Sequence, residues 1–523
     1  MTFGAWLYSG DSLSFAEISI TSDEFGGTTY FDQTVNFSQG SCSQNGFGFT
    51  VCQETASFSS VDMDAGTYWV NLQNASVPSG DPVYWDENSG PSMASENSIG
   101  TIPSESFTLE GGGGGRSCYQ SRGNLQIIHD FTQQEVGVYG ALEGVAIDQA
   151  GNLYGTTTDS FGNENAGFAY KLADLGGWLL DPLFNFVAGD DGSQPGGVIV
   201  GPNGSLYGSA QGGIQNCGTD GSQYCGLVFN LRPKPTACLT ALCGWTENVP
   251  YRFTSESDGS GKINVSAFDQ QGNLYGTTTT GGTNDLGTVF ELTPSTGGSW
   301  TKTTLYSFLG SDFGFNPTQV LVGSDGNLYG LANGGTFFNG VVFQLTPSGG
   351  QWTETLIHVF GSENGHSYQS QYLVQDSAGN LYGISTSQDI NAFSAIFALQ
   401  KTSSGWYFNE MTVEHNCSSN FPGDDVLTNL AVDAAGNLYG TGGGFAGPLS
   451  GSKKYPGEEG CSFNYIFKAS YASGTWNYQD LYYRDNVIFS TGGSLALDAS
   501  GNLYGTTAGC GANGYGTVWQ LSP

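Results

Sequence analysis

Charge is scarce in this sequence, and positive charge is the scarcer sign. Only 11% of the 523 residues are charged, with 13 Lys and Arg against 47 Asp and Glu, a formal net charge of −34. A chain this poor in cations has no surface for neutralising phosphates, which excludes nucleic acid and argues against an anionic membrane as partner. No apolar run is long enough to span a bilayer, so membrane insertion is not expected. None of the ten cysteines lies in CxxC spacing, and the four histidines do not cluster with them, which removes the usual zinc patterns. No phosphate loop, metalloprotease helix, EF-hand loop or GxSxG elbow is present.

What is abundant is glycine, 82 residues of it, together with 13% aromatics. That mixture disfavours long helices and suits short strands joined by tight turns. With 38% hydrophobic residues the chain can still bury a core. An even cysteine count without metal spacing reads as disulfides formed in an oxidising compartment, so a secreted or cell-surface location is expected. Met1 to Phe15 has neither the basic segment nor the apolar core of an export signal, so numbering is expected to begin inside a longer precursor or at a truncated start.

One motif organises most of the chain. GNLYG starts at Gly151, Gly272, Gly326, Gly379, Gly436 and Gly501, and GSLYG at Gly204. An apolar stretch ending in a turn precedes each copy, as in Val145 to Asp148. A second apolar stretch follows, as in Gly287 to Leu292. A Trp comes next, and in four units an aromatic stands eight residues after it: Trp178 with Phe186, Trp245 with Phe253, Trp300 with Phe308, Trp352 with Phe360. Glu414 and Arg484 take that place after Trp406 and Trp476. Each unit thus offers four strands, A to D, and seven units predict a radial array of blades. Asp148, Asp269, Asp376, Asp433 and Asp498 stand where they can cap the A–B turn, with glycine at its positive-φ position; Gly201 and Gly323 break the pattern. Capping is preferred to calcium binding for these residues. The Gly of LYG is expected to permit close approach near the axis.

The two ends of the repeat region complement each other. The chain stops on a strand C, Gly516 to Leu521, while a spare strand D, Ile128 to Phe131, precedes the first repeat. Residues 125–131 are therefore expected to close the seventh blade on 516–521. The predicted fold is all-β: a seven-bladed β-propeller closed by an N-terminal strand and preceded by a small β-sandwich-like domain. Its predicted boundaries are 1–110 for the β-rich domain, 111–124 for a glycine-rich linker and 125–523 for the propeller.

The unit GNLYGTT…GG…GTVFELTP…W…LYSF, as at Gly272 to Phe308, resembles the Gloeo/Verruco tandem repeat of secreted bacterial propeller proteins. The segment from Gly66 through Asp86-Glu87-Asn88-Ser89-Gly90 is similar to one in secreted, surface-anchored bacterial proteins. The resemblance implies export, often with a C-terminal anchor, and this chain instead ends on a blade strand. It implies no catalytic residues.

Candidate chemistry lies in the D–A loops, which are acidic in nearly every blade. Asp191, Asp258, Asp312, Glu363 and Asp425 are the candidates for binding a ligand or cation, with calcium as the candidate ion and no other cofactor expected. Solvated turn residues are the plainer reading of the same positions. His129 and His358 share a strand D position with Tyr306 and read as structural; His366 and His415 fall in D–A loops, where His415 near Cys417 could hold a metal, although a disulfide-bonded loop is preferred. Expected disulfides are Cys42–Cys52, Cys217–Cys225, Cys238–Cys243 and Cys417–Cys461, with Cys118–Cys510 left by elimination. No catalytic residues stand out. The favoured function is a non-enzymatic binding, structural or adhesion protein with an extracellular glycan, protein or cation as ligand. Two alternatives stay open: a glycoside hydrolase or lyase using carboxylates at the propeller face, and a self-assembling subunit of an extracellular fibre joined by strand pairing.

Overall fold

The computed structural model describes residues 2–7, 12–23, 26–44, 50–56, 69–76, 84–85, 93–96, 100–103, 107–108, 124–132, 135, 141–158, 167–174, 177–187, 191–212, 225–234, 244–254, 256–310, 313–334, 340–361, 368–387, 394–413, 415, 424–446, 461–485, 493–507, 511 and 513–522. The chain divides into two compact units. One is Met1–Gly115 with Tyr170–Phe184 and Pro233–Thr246; the other is Arg116–Ala169, Asn185–Arg232 and Glu247–Pro523. The expected linker, 111–124, lies outside the described residues except for Asn124.

The N-terminal strands form antiparallel sheets. Thr2–Leu7 pairs with Thr50–Thr55, Tyr84–Trp85 and Phe107–Thr108, and Ser38–Gln44 flanks Thr50–Thr55. A second sheet sets Phe15–Asp23 between Gly26–Asn36 and Trp69–Ser76. Leu7, Ala16, Ile18, Ile20 and Cys52 are buried here. Cys42 and Cys52 sit opposite each other in register and are disulfide-bonded.

Seven four-stranded antiparallel sheets follow, and they make a seven-bladed propeller. In blades 1 to 6 the strands are ordered A-B-C-D in the sequence sense, as in Ser260–Phe268, Leu274–Thr280, Thr288–Pro294 and Trp300–Ser307 of blade 3. Blade 7 is different: its outer strand is Leu125–Asp130, paired on Thr517–Leu521 from Leu125↔Leu521 to Asp130↔Thr517. The Phe131 amide extends the ladder to the Gly516 carbonyl at 2.9 Å. The closure read from the two chain ends is the one observed. It leaves no unpaired edge at the join.

The core sits between blades. Buried clusters join Tyr207 and Val228 with Phe290, Tyr275 and Val289 with Phe343, Tyr329 and Val342 with Phe397, Ile384 with Phe467, and Tyr439 and Ile466 with Trp519. Three repeated positions build four of the interfaces between blades. The aromatic closing strand D donates its amide to the glycine opening its own strand C: Phe186 to Gly167, Phe253 to Gly226, Phe308 to Gly287 and Phe360 to Gly340, at 2.9–3.2 Å. Its ring then packs edgewise on the strand C Phe of the next blade: Phe186 on Phe229, Phe253 on Phe290, Phe308 on Phe343 and Phe360 on Phe397, with centroids 4.9–5.3 Å apart. That second Phe lies over the Gly of its own LYG. A Cβ at Gly208, Gly276, Gly330 or Gly383 would strike Phe229, Phe290, Phe343 or Phe397. The Gly of LYG therefore makes room for a ring within its own blade and for the strand A backbone beside it: a Cβ at Gly276, Gly330 or Gly383 would also strike the carbonyl of Asn264, Gln319 or Tyr372.

The A–B turns behave as expected from their residues. Glycines 151, 204, 272, 326, 379, 436 and 501 all have φ between +74° and +87°. In Asp148 to Asn152 the Asp amide donates to the Asn carbonyl and the Gly amide to the Asp carbonyl, the pairing of a tight hairpin turn, and the other six turns repeat it.

Candidate functional site

Antiparallel order gives the propeller two unlike ends. A–B and C–D turns gather at one, and D–A and B–C loops at the other.

At the turn end five of the seven turns bind their own capping carboxylate. Asp148 accepts from the Ala150 and Asn152 amides, from Asn152 Nδ2 and from the Tyr154 hydroxyl, at 2.8–3.0 Å. Asp269, Asp376, Asp433 and Asp498 repeat this set with Tyr275, Tyr382, Tyr439 and Tyr504. Burial pulls Asp148, Asp433 and Asp498 upward, but these donors outweigh it and hold all three carboxyls below their ordinary value. Four donors per carboxylate are the set that a turn cap collects. Where Gly201 and Gly323 replace the Asp, the acceptor moves two residues on. Asn203 takes the Ser205 amide, and Asp325 takes Asn327 and Tyr329.

Around the D–A loops and the outer strands the polar partners lie far apart in the chain and differ from place to place. Asp191, in the loop entering blade 2, shares a hydrogen bond with Glu247 of that blade's strand D. Burial, then the Asp191 charge, pushes the Glu247 carboxyl up to about 8, against the pull of Arg252. Asp258, in the loop entering blade 3, accepts from the Tyr251 hydroxyl at 2.9 Å and from Lys302 Nζ at 2.9 Å. The Lys302 side chain is 4% exposed, and burial lowers it despite Asp258. The Tyr306 hydroxyl donates to Glu354 at 2.6 Å across to the next blade. Burial raises Glu354 to about 7, and its Oε1 has no hydrogen-bond partner among the described residues. His415 Nε2 lies 3.1–3.2 Å from both oxygens of Asp480, with its ring 4.0 Å from that of Tyr465.

Of the candidate acids, the structure thus places Asp191 against another carboxyl and Asp258 against a lysine. Asp425 pairs with Gly444 in strand A of blade 6. Asp312 and Glu363 lie outside the described residues, as do His366 and Cys417. Among the described residues no three His, Cys, Asp or Glu side chains group as metal ligands would. The other two histidines pack on rings. His358 stacks on Phe408 at 3.8 Å, and burial holds it down to about 4. His129 meets Phe131 at 4.5 Å and Glu135 at 3.4 Å. Cys225 is disulfide-bonded. Its expected partner Cys217, and Cys118, Cys238, Cys243 and Cys510, lie outside the described residues; only the strand position of Cys461 is described.

Sequence reasoning found the loop acids but missed Glu247, Lys302 and Glu354. All three stand two residues after the strand D Trp. That shared offset was the available signal.

Comparison with known proteins bears on the fold. Residues 218–446 match the Gloeobacter/Verrucomicrobia repeat. No curated protein matches the chain. Similar solved structures include an ulvan lyase of a polysaccharide lyase family, at 9% identity and TM-score 0.43, covering 73% of this chain and 95% of that one. An ancestral GH74 enzyme is 14% identical with TM-score 0.44, covering 73% and 48%. AofleA from Arthrobotrys oligospora is 11% identical with TM-score 0.35, covering 73% and 98%. These likenesses carry nothing about activity. The chain is thus a seven-bladed propeller closed into a ring, and residues 218–446 of it are similar to the Gloeobacter/Verrucomicrobia repeat.

Proposed function

We propose that the chain is an extracellular binding protein that takes a glycan on the loop end of its propeller. The observation that carries this reading is the contrast between the two ends. Seven nearly identical turns that satisfy themselves serve the fold. Loop and outer-strand residues that bring a different polar pair together at four places around the ring offer a surface that can recognise. The low count of Lys and Arg favours a neutral polyhydroxylated ligand over an anionic one. The Cys42–Cys52 disulfide fits an oxidising compartment, and no helix among the described residues is long and apolar enough to cross a membrane.

The alternative of a glycoside hydrolase has less support. Asp191 and Glu247 share a hydrogen bond, whereas paired glycosidase carboxyls stand about 5 Å apart or more to admit the scissile bond. The test is a glycan array with the full chain, repeated with Glu247→Gln on the loop end and Asp376→Asn on the turn end. Binding weakened about tenfold by the first change and left alone by the second is expected. Absence of binding, or binding sensitive only to the turn end, rejects the proposal.

A further inference from the structure

The loops entering blades 2, 3 and 4 share one position. The residue five after the closing aromatic stands before a glycine: Asp191 after Phe186, Asp258 after Phe253 and Phe313 after Phe308. In the first two loops it is an acid matched to strand D of the blade it enters, Asp191 to Glu247 and Asp258 to Lys302 at 2.9 Å. In the third it is an aromatic, 48% exposed, and Leu309 on the same loop is 58% exposed. Glu354 holds the strand D place of Glu247 and Lys302, and its Oε1 has no hydrogen-bond partner among the described residues. Val187 is exposed where Leu309 is, but Asp191 rather than an aromatic follows it. Among the described residues, the joint between blades 3 and 4 therefore lacks the polar pair of its neighbours and turns two large apolar side chains to water, which is the mark of an interaction site.

Hydrogen bonds hold these side chains in place. The Gly310 amide donates to the Gly314 carbonyl at 3.1 Å and the Phe313 amide to the Gly310 carbonyl at 3.2 Å, which ties Phe313 back onto Gly310. The B–C loop of blade 3, residues 281–287, braces the turn. Asn284 Nδ2 donates to the Phe308 carbonyl at 3.0 Å, the Asn316 amide donates to the Leu286 carbonyl at 2.8 Å, and a Cβ at Gly310 would strike Leu286. Asp285 and Asn316 hold φ of +56° and +48°, a conformation costly outside glycine that the surrounding structure must enforce. Polar capacity is left over beside the apolar pair. Asn284 Oδ1, Asp285 Oδ2 and the Asn316 carboxamide make no hydrogen bond among the described residues. Segments 281–287 and 308–316 contain no Lys, Arg or His.

We propose that this joint is the subsite for one neutral sugar ring. The apolar C–H face of a pyranose lies on Phe313 and Leu309, and its hydroxyls donate to Asn284 Oδ1 and Asp285 Oδ2 and accept from Asn316 Nδ2. With an acid and no cation at its edge, the site disfavours a uronate or a sulfated sugar, and the net charge of −34 repels both. Because the two loops already brace each other, binding loses little entropy in ordering them. The subsite rests on the glycan reading above and names where one ring of that glycan sits.

Saturation-transfer NMR and calorimetry on the full chain test it, with the methyl pyranosides of glucose, galactose and mannose as probes and N-acetylleucinamide as an apolar peptide control. At least one pyranoside is expected to bind saturably, with its ring C–H protons receiving the most saturation. Its affinity should fall about tenfold or more in Phe313→Ala, recover in Phe313→Trp, and stay unchanged in Tyr407→Ala, which removes a comparably exposed ring elsewhere. Asn316→Gly keeps the positive φ accessible while removing the carboxamide, and should weaken binding several-fold. Phe313 is exposed, so its truncation should leave the melting temperature unchanged, and lost binding cannot be laid to unfolding. Failure of all three probes to saturate overturns the subsite, whatever a glycan array shows. Affinity that survives Phe313→Ala also overturns it; if that affinity falls in Glu247→Gln, glycan recognition on the loop end stands and only its place is wrong. Equal competition by N-acetylleucinamide would overturn the sugar assignment in favour of an apolar peptide segment.

Discussion

The two ends of the propeller spend the same residue types in opposite ways. At the turn end, Asp376 receives the Ala378 and Asn380 amides, Asn380 Nδ2 and the Tyr382 hydroxyl, all from within seven residues of chain. At the loop end, Asp258 receives Lys302 from 44 residues away. The first arrangement forms with the hairpin itself and repeats wherever the motif repeats. The second exists only once strands distant in the chain have come together, and each pair can vary without disturbing the others. A repeat protein can thus hold its fold constant at one end and vary its surface at the other.

The largest expected effect tests whether buried rings, rather than polar pairs, hold the variable end together. Phe308 is fully buried, donates its amide to Gly287 and packs 5.3 Å from Phe343 of the next blade. Truncation to Ala should cost about 3–5 kcal/mol in denaturant unfolding. A cost under about 1 kcal/mol would mean that the loop end is held by its polar pairs instead.

The next effect should separate the ends by pH. Glu247 and Glu354 have folded-state values raised to about 8 and about 7, so their contribution is complete below their ordinary value of 4.5 and is lost as pH rises through 7 to 8. The turn carboxyls Asp148, Asp433 and Asp498 are lowered, so theirs is present above 3.8 and is lost as pH falls through their depressed folded-state values. Glu247→Gln combined with Glu354→Gln should raise stability by roughly 1–3 kcal/mol at pH 9, allowing for partial exposure, with little change at pH 4. Asp433→Asn should lower stability at pH 7 and lose that effect in strong acid. Parallel pH profiles for the two kinds of variant would erase the distinction.

The same contrast explains what could be read in advance. Strand count, turn glycines and the join of Leu125–Asp130 to Thr517–Leu521 follow from local pattern and from chain ends that lack complementary strands. The interlock of Phe308, Phe343 and Gly330 was present as three separate repeated positions. Nothing in their spacing says that a ring from one blade rests on a ring from the next, over that blade's glycine. The candidate site was legible by halves. Asp191 and Asp258 stand in loops where acids invite notice, whereas Glu247 and Lys302 lie on an outer strand whose alternation reads as ordinary surface. Closing the ring is what brings the halves together.

The smallest expected effect concerns the one described cation at the turn end that reaches across blades. Blade 4, like blade 2, lacks the capping Asp of the other five blades, and Asp325 serves from two residues further on. Lys401 of blade 5 approaches that carboxylate at 2.7 Å, and the pair is 47% and 35% exposed. Burial pulls the Asp325 carboxyl up, yet Lys401, Tyr329 and Asn327 together hold it well below its ordinary range. If the turn end is self-sufficient, Asn327 and Tyr329 already satisfy Asp325, and the lysine adds only an exposed ion pair. Solvent and salt screen such a pair to about 0–1 kcal/mol. Lys401→Met should therefore shift the unfolding midpoint by no more than about 0.5 kcal/mol, and the shift should vanish at high ionic strength. A salt-resistant loss above about 1 kcal/mol would show that blade 4, deprived of the usual Asp, borrows stability from its neighbour. The turn end would then depend on assembly just as the loop end does.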